Sequence, residues 1–197
     1  IVWSRKVYSM PFHVVKLNRT LQLCNLDGEL TRLNDDNGLT IDNTTNKIQV
    51  NITAMEGIDS TLVLVSSTNK LFLQNTKRKE FSPIQVLMEY PIISMQVLRD
   101  QNEDKIIISL ADQSILLYSN IGTPLWKFQG KKSIFSKPII DAELAWIDQG
   151  NEIIAISLKD GKVVKSFNTP GGAGTPFILN HTLFSASPKR VLYGFPL

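Results

Sequence analysis

Short apolar runs rich in β-branched residues alternate with clusters of Gly, Asn, Asp and Ser along the chain. Period-2 alternation bounded by such clusters predicts β-strands joined by tight turns. The clearest stretch reads as four strands: Ser133 to Ile140, Leu144 to Asp148, Glu152 to Leu158 and Val163 to Phe167. Asp141-Ala142-Glu143, Gln149-Gly150-Asn151 and Lys159-Asp160-Gly161-Lys162 separate them. Gly and Asn accept the positive φ that hairpin turns require. Upstream, Pro11 to Leu17, Leu21 to Leu26 and Glu29 to Leu33 repeat the order. A looser unit holds Leu62 to Ser66 and Leu71 to Gln74, and another holds Ile93 to Leu98, Lys105 to Leu110 and Ser114 to Tyr118. The last gives Gly174 to Leu179, Thr182 to Ser185 and Arg190 to Tyr193. No stretch of helical length carries a convincing 3.6-residue period, so the chain reads as all-β.

The turns between second and third strands centre on Asp27, Thr68, Asp112, Gln149 and Ser187. A spacing of about 40 residues, with several strands per unit, points to a β-propeller of four-stranded antiparallel blades. About five units are visible, and residues 1–197 read as one propeller domain. Residues 1–7 have the pattern of an outer strand without a unit of its own. Pairing them into the last blade would remove two exposed sheet edges and close the ring. The competing arrangement is five successive units of a seven- or eight-bladed ring.

Gly122-Thr123-Pro124-Leu125-Trp126-Lys127-Phe128 is followed by Ser136-Lys137-Pro138 and then by Asp160-Gly161-Lys162. This order resembles the repeat of pyrroloquinoline-quinone-type β-propellers, with its Gly-x-x-x-Trp element, Ser-x-Pro strand and Asp-Gly turn. Gly174-Thr175-Pro176-Phe177 and Ser9-Met10-Pro11-Phe12 carry fainter copies. In that family the repeated Trp packs between neighbouring blades, which the resemblance implies for Trp3 and Trp126. It does not imply quinone chemistry, because the enzymes of the family use a vicinal cysteine pair and a calcium site that have no match here. The resemblance is to the non-catalytic branch, which includes an outer-membrane assembly lipoprotein of Gram-negative bacteria, luminal sensors of unfolded-protein kinases and C-terminal domains of acyl-activating enzymes.

Composition narrows the function classes. A hydrophobic share of 43% with 20% charged residues is that of an ordinary globular chain. A net charge of +3 is too small to mark a nucleic-acid binder, and Lys77-Arg78-Lys79, Lys131-Lys132 and Lys189-Arg190 are short groups in expected turns. No run of about 18 apolar residues is present, so no membrane span is expected. The N-terminus has neither the basic start nor the apolar stretch of a signal peptide, and no initiator Met, which reads as a processed chain or a piece of a longer one. Cys24 stands alone in an apolar alternation, where a small buried residue is expected. Asn18, Asn43, Asn51 and Asn180 begin Asn-x-Ser/Thr sequons, acceptors for glycans if the chain enters the secretory pathway.

Catalytic signatures are sparse. His13 and His181 are the only histidines, and no Cys/His cluster has zinc spacing. Gly130-Lys131-Lys132-Ser133 precedes a strand and lacks the earlier Gly of a phosphate loop. The Gly-rich segment Thr169 to Pro176 lies between strands and reads as an inter-blade turn. No catalytic, cofactor or metal residue is therefore assigned. The expected role is a non-enzymatic scaffold for another protein or another domain of the same polypeptide. Contacts are expected on the longest loops, Asn34–Asn46, Thr76–Ser82 and Arg99–Asp104. The candidate contact residues are Asp35, Asp36, Lys77, Arg78, Lys79 and Trp146, the last being either core or an exposed anchor. The alternatives are a ligand- or cofactor-binding, quinoprotein-like propeller, with His13, Glu56, Gln96 and Lys137 pointing inward, and a luminal or secreted structural sensor.

Overall fold

The computed structural model describes residues 4, 13–41, 46–76, 83–99, 103–132 and 136–197. The expected strands Pro11–Leu17 and Ser133–Ile140 begin outside these residues, and so does nearly all of the closing strand at 1–7. The described residues contain no helix and form five antiparallel sheets.

Sheet I consists of β1 (His13–Leu17), β2 (Thr20–Cys24), β3 (Glu29–Asn34) and β4 (Asn46–Lys47). Sheet II consists of β5 (Ile52–Ile58), β6 (Thr61–Ser66), β7 (Lys70–Asn75) and β8 (Ile84–Leu87). Sheet III holds β9 (Ile92–Leu98), β10 (Lys105–Leu110), β11 (Ser114–Ser119) and β12 (Pro124–Gln129). Sheet IV holds β13 (Ile139–Asp141), β14 (Leu144–Gln149), β15 (Glu152–Ser157) and β16 (Val163–Asn168). Sheet V has three strands, β17 (Phe177–Leu179), β18 (Thr182–Ala186) and β19 (Leu192–Pro196). In every sheet consecutive strands pair, so each is a meander built from local hairpins.

The second and third strands of sheets II, III and IV are the most continuously apolar because both their faces are buried. β6 and β11 are buried at every position. A continuous run such as Thr61-Leu62-Val63-Leu64-Val65 marks a strand with packing on both sides, whereas alternation marks one open face. β16, an outer strand, is exposed at all positions but Phe167. β5 and β8 were not expected from the sequence. Gly57 and Glu56 interrupt the alternation of β5, and β8 is four residues with little burial.

Two compact units divide the chain, one from the described residues of 1–89, 97–105 and 119–123, the other from 90–96, 106–118 and 124–197. The core of the first is Leu17, Cys24 and Leu30 of sheet I against Ile52, Met55, Leu62, Leu64 and Phe72 of sheet II. The Asn18 side-chain amide reinforces this contact by donating to the Asp59 carbonyl at 2.8 Å. Gly57 permits the close approach, since a Cβ there would lie 2.6 Å from the Leu17 side chain.

In the second unit Trp146, Ile153 and Ala155 of sheet IV pack on Leu183 of sheet V, with Phe167, Ile178 and Phe195 alongside. An aromatic row runs through this interface, Trp146 on Phe167 at 5.8 Å, Phe167 on Phe195 at 4.4 Å and Phe195 beside Tyr193 at 6.2 Å. Offset stacking at such distances adds to area burial.

Several strand ends differ from expectation for local reasons. β17 begins at Phe177, not Gly174, because the Gly174 amide and carbonyl both bond the Ser185 hydroxyl and Pro176 has no N–H. β19 begins at Leu192, since Arg190 takes φ 64° and its amide closes a turn onto the Ser187 carbonyl. β2 stops at Cys24, where the Asn25 side chain accepts the Glu29 amide and closes the turn.

Candidate protein-interaction surface

The connection leaving β3 is held by its own side-chain and backbone hydrogen bonds. Asn34 Oδ1 accepts the amides of Asp36 and Asn37, and Asn37 Oδ1 accepts that of Leu39. The Asn34 amide donates to the Leu39 carbonyl, and Gly38 donates back to Asn34 from a positive φ of 69°. The Ile41 amide donates to the Arg32 carbonyl. These bonds hold residues 34–41 as a hairpin extension of β3, with Leu33 opposite Thr40. Asn and Gly at these points are local turn chemistry, legible in Asn34-Asp35-Asp36-Asn37-Gly38.

The extension is anchored at its base. The Asp35 amide donates to the Arg19 carbonyl in the β1–β2 turn, and its carboxylate takes the Lys16 ammonium at 2.6 Å. That pair raises the Lys16 pKa, through the Asp35 hydrogen bond first and its charge second. Asp35 is thus a brace within the fold and Asp36 an exposed group beside it. The extension also exposes two apolar side chains, Leu39 at 60% and Ile41. Their exposure on a hydrogen-bonded support is what sequence reading missed, since apolar residues in a loop give no sign of whether they fold inward.

Trp146 requires a correction. Its side chain is 1% exposed and stacks on Phe167, so it belongs to the core and presents no surface to a partner. β14 is covered on both faces, and a large aromatic fills the space between two sheets. Lys77, Arg78 and Lys79 lie outside the described residues, as does Asn43. Asn18, Asn51 and Asn180 are exposed; the Asn18 amide nitrogen is engaged with the Asp59 carbonyl, and Asn180 sits in a turn with φ 48°.

Trp126 of sheet III docks on sheet IV within the second unit. Its indole N–H donates to the Leu158 carbonyl at 2.9 Å, and its ring lies on Gly161, where a Cβ would meet it at 2.9 Å. The turn beneath is set by Asp160, whose carboxylate accepts the Lys162 amide and faces the Lys162 ammonium at 3.3 Å. The Asp-Gly turn and the Trp thus form one packing device.

Glu56 on β5 accepts the Val97 amide of β9 at 2.8 Å, a structural use of its carboxylate. His13 is half-buried, and Lys137 is exposed. Cys24 is fully buried, and burial pushes its thiol up to about 11, which keeps it protonated and unreactive. Among the described residues no group of three or more His, Cys, Asp or Glu is placed to hold a metal ion, and no helix is long and apolar enough to cross a membrane.

No family model matches the chain. No curated protein matches it either. Solved structures do. The computationally designed Ika8 protein superposes with a TM-score of 0.74 at 9% identity, over 100% of this chain and 61% of that one. BBS1N, crystallised in complex with ARL6DN and soaked with mercury, gives 0.62 at 14% identity over 92% of this chain and 63% of that one. BamB from Moraxella catarrhalis gives 0.57 at 14%, over 93% and 58% respectively. The chain therefore spans about three-fifths of the length of the structures it matches. With the sheets described above, the likeness shows the fold, a β-propeller of antiparallel, mostly four-stranded blades.

Proposed function

We propose that this propeller is a non-enzymatic scaffold that binds another protein, with the 34–41 extension as a contact element. The observation that carries the reading is the pair of exposed apolar side chains, Leu39 and Ile41, on a loop already locked by its own hydrogen bonds. Binding through a preordered loop avoids most of the ordering entropy that a flexible one loses. Apolar knobs beside the exposed Asp36 give a small apolar centre with a polar edge, the usual anatomy of a contact patch. The neighbour crystallised with ARL6DN is a protein-bound propeller, which supports the same use of the fold here. Trp126 seated on the Asp160-Gly161 turn supports the resemblance to the pyrroloquinoline-quinone-type repeat.

The test is site-specific photocrosslinking of the native protein, with the reactive residue at Leu39, Ile41 or, as control, the exposed Val164. Protein adducts at Leu39 and Ile41 but not at Val164 are expected. They should be lost in the Asp36→Ala/Leu39→Ala/Ile41→Ala variant without a change in unfolding midpoint. Adducts at neither loop position, or equally at all three, reject the placement. Retention of a quinone, sugar or divalent metal in native mass spectrometry would favour a ligand-binding propeller instead.

A further inference from the structure

Lys131-Lys132 and Lys189-Arg190 are far apart in sequence, yet both fall at one end of the second compact unit. The connections leaving β12 and β16 are equivalent. The Gly130 amide donates to the Gln113 carbonyl in the β10–β11 turn, and the Thr169 amide donates to the Asn151 carbonyl in the β14–β15 turn. Both connections therefore lie at the end where second strands turn into third strands. Consecutive antiparallel pairing puts the β18–β19 turn, Ser187 to Arg190, at that same end of sheet V.

Close contacts join these turns. The Lys132 side chain lies across Gly150, its Nζ 3.4 Å from where a Cβ would stand. The Gly150 carbonyl accepts the Ala173 amide at 2.6 Å. A Cβ on Gly172 would stand 3.9 Å from that same carbonyl and 3.2 Å from the Pro188 ring. Lys132, Gly150, Gly172 and Pro188 thus form one row, and Lys189 and Arg190 follow directly. The last turn is held by Ser187, whose hydroxyl accepts the Lys189 amide and whose carbonyl accepts that of Arg190.

Lys131, Lys132, Lys189 and Arg190 are all exposed, and none forms an ion pair among the described residues. Nearby carboxylates are engaged elsewhere: Asp112 faces Lys127 at 3.5 Å, and buried Asp148 accepts the Ser136 hydroxyl. Glu152, at the start of β15, is half-buried. The opposite end of sheet IV mixes signs, with Asp141, Glu143 and Asp160 beside Lys159 and Lys162. Cations gathered without counter-charges repel one another, and an acidic partner relieves that repulsion. We propose that this end binds an acidic, extended segment of another protein. The proposal rests on the scaffold reading but not on the 34–41 extension, which belongs to the other compact unit. A nucleic acid fits less well, because no exposed aromatic stands among the four cations for bases to stack on.

The test is fluorescence anisotropy of a labelled decaglutamate peptide titrated with the native protein. Saturable binding is expected at about 25 mM salt, falling steeply by about 300 mM. Lys132→Gln/Arg190→Gln should weaken it by roughly fivefold or more. Lys159→Gln/Lys162→Gln, an equal loss of charge at the opposite end, should leave it unchanged. Unfolding midpoints are measured alongside, and if the first variant is destabilised, Lys131→Gln/Lys189→Gln takes its place. The proposal is overturned by an absence of saturable binding or by equal weakening in both variants. Tighter binding of a single-stranded oligonucleotide, or of phosphatidylserine vesicles, would also overturn it. Crosslinks from Leu39 and Ile41 that persist when decaglutamate fails to bind would leave the scaffold reading standing and remove only this basic surface.

Discussion

In sheet IV the face bearing Trp146 is sealed by a neighbouring sheet, whereas in sheet V the face bearing Phe184, in the same register, is open to solvent. Both stretches offer a large aromatic on the second strand, opposite a large apolar residue on the first. The difference between core and surface lies in what covers them, not in the residues. An aromatic side chain contributes stability in proportion to the area it loses to solvent. Equal chemistry at matching positions therefore has unequal energetic weight.

The largest effect should come from truncating the two aromatics. Trp146→Ala is expected to lower the unfolding free energy by about 3–5 kcal/mol, as a large fully buried side chain leaves a cavity. Phe184→Ala should cost about 1–2 kcal/mol, because one side of its ring is already in water. Urea denaturation of both variants measures the gap; equal losses would break the comparison.

A second contrast uses glycines beneath aromatic rings. Gly161 has φ 72° and lies under Trp126, where a Cβ would stand 2.9 Å from the ring. Gly161→Ala should destabilise by about 1–2 kcal/mol through backbone strain and displacement of the indole. Gly194 lies under Phe184, with a Cβ at 3.2 Å from a ring that can tilt toward open space. Gly194→Ala should cost less, and a thermal-unfolding ranking in the opposite order would show that sheet V is the more tightly held.

Acid should act on sheet IV by the smallest amount. Asp160 is held below its ordinary value near 3.8, first by the Ser157 hydroxyl, with desolvation opposing, and then by the Lys162 amide and ammonium. A depressed folded pKa contributes stability that is present above the unfolded value and lost as pH falls through the folded one. The wild type should therefore lead Asp160→Asn at pH 6, and the lead should shrink as pH falls below 3.8. The open face of sheet V holds no titratable group, so Leu179→Ala should show the same difference at both pH values.

Strand identity and turn position were legible where chemistry is local. Asp27-Gly28, Asp112-Gln113 and Gln149-Gly150 fall at turns because residues with positive φ are needed there, and Gly28, Gln113 and Gly150 adopt it. β14 and β15 matched expectation within a residue or so, their apolar runs being long and bounded by Gly. β5 and β8 were missed because pairing with β6 and β7, rather than their own pattern, makes them strands. Of the expected contact residues, Asp36 is exposed, Asp35 is a brace and Trp146 is core. Leu39 and Ile41 went unnoticed, because exposure is a property of surroundings.

The amino-acid order alone determined that this is a repeating all-β chain, with its turns about 40 residues apart, since turn geometry and strand alternation depend only on neighbouring residues. Tertiary structure decided which faces of those strands are closed. Sheet V covers Trp146, while Phe184, its counterpart, is only half-buried. Burial depends on a second sheet brought from elsewhere in the chain, and the same alternation of apolar residues serves either outcome.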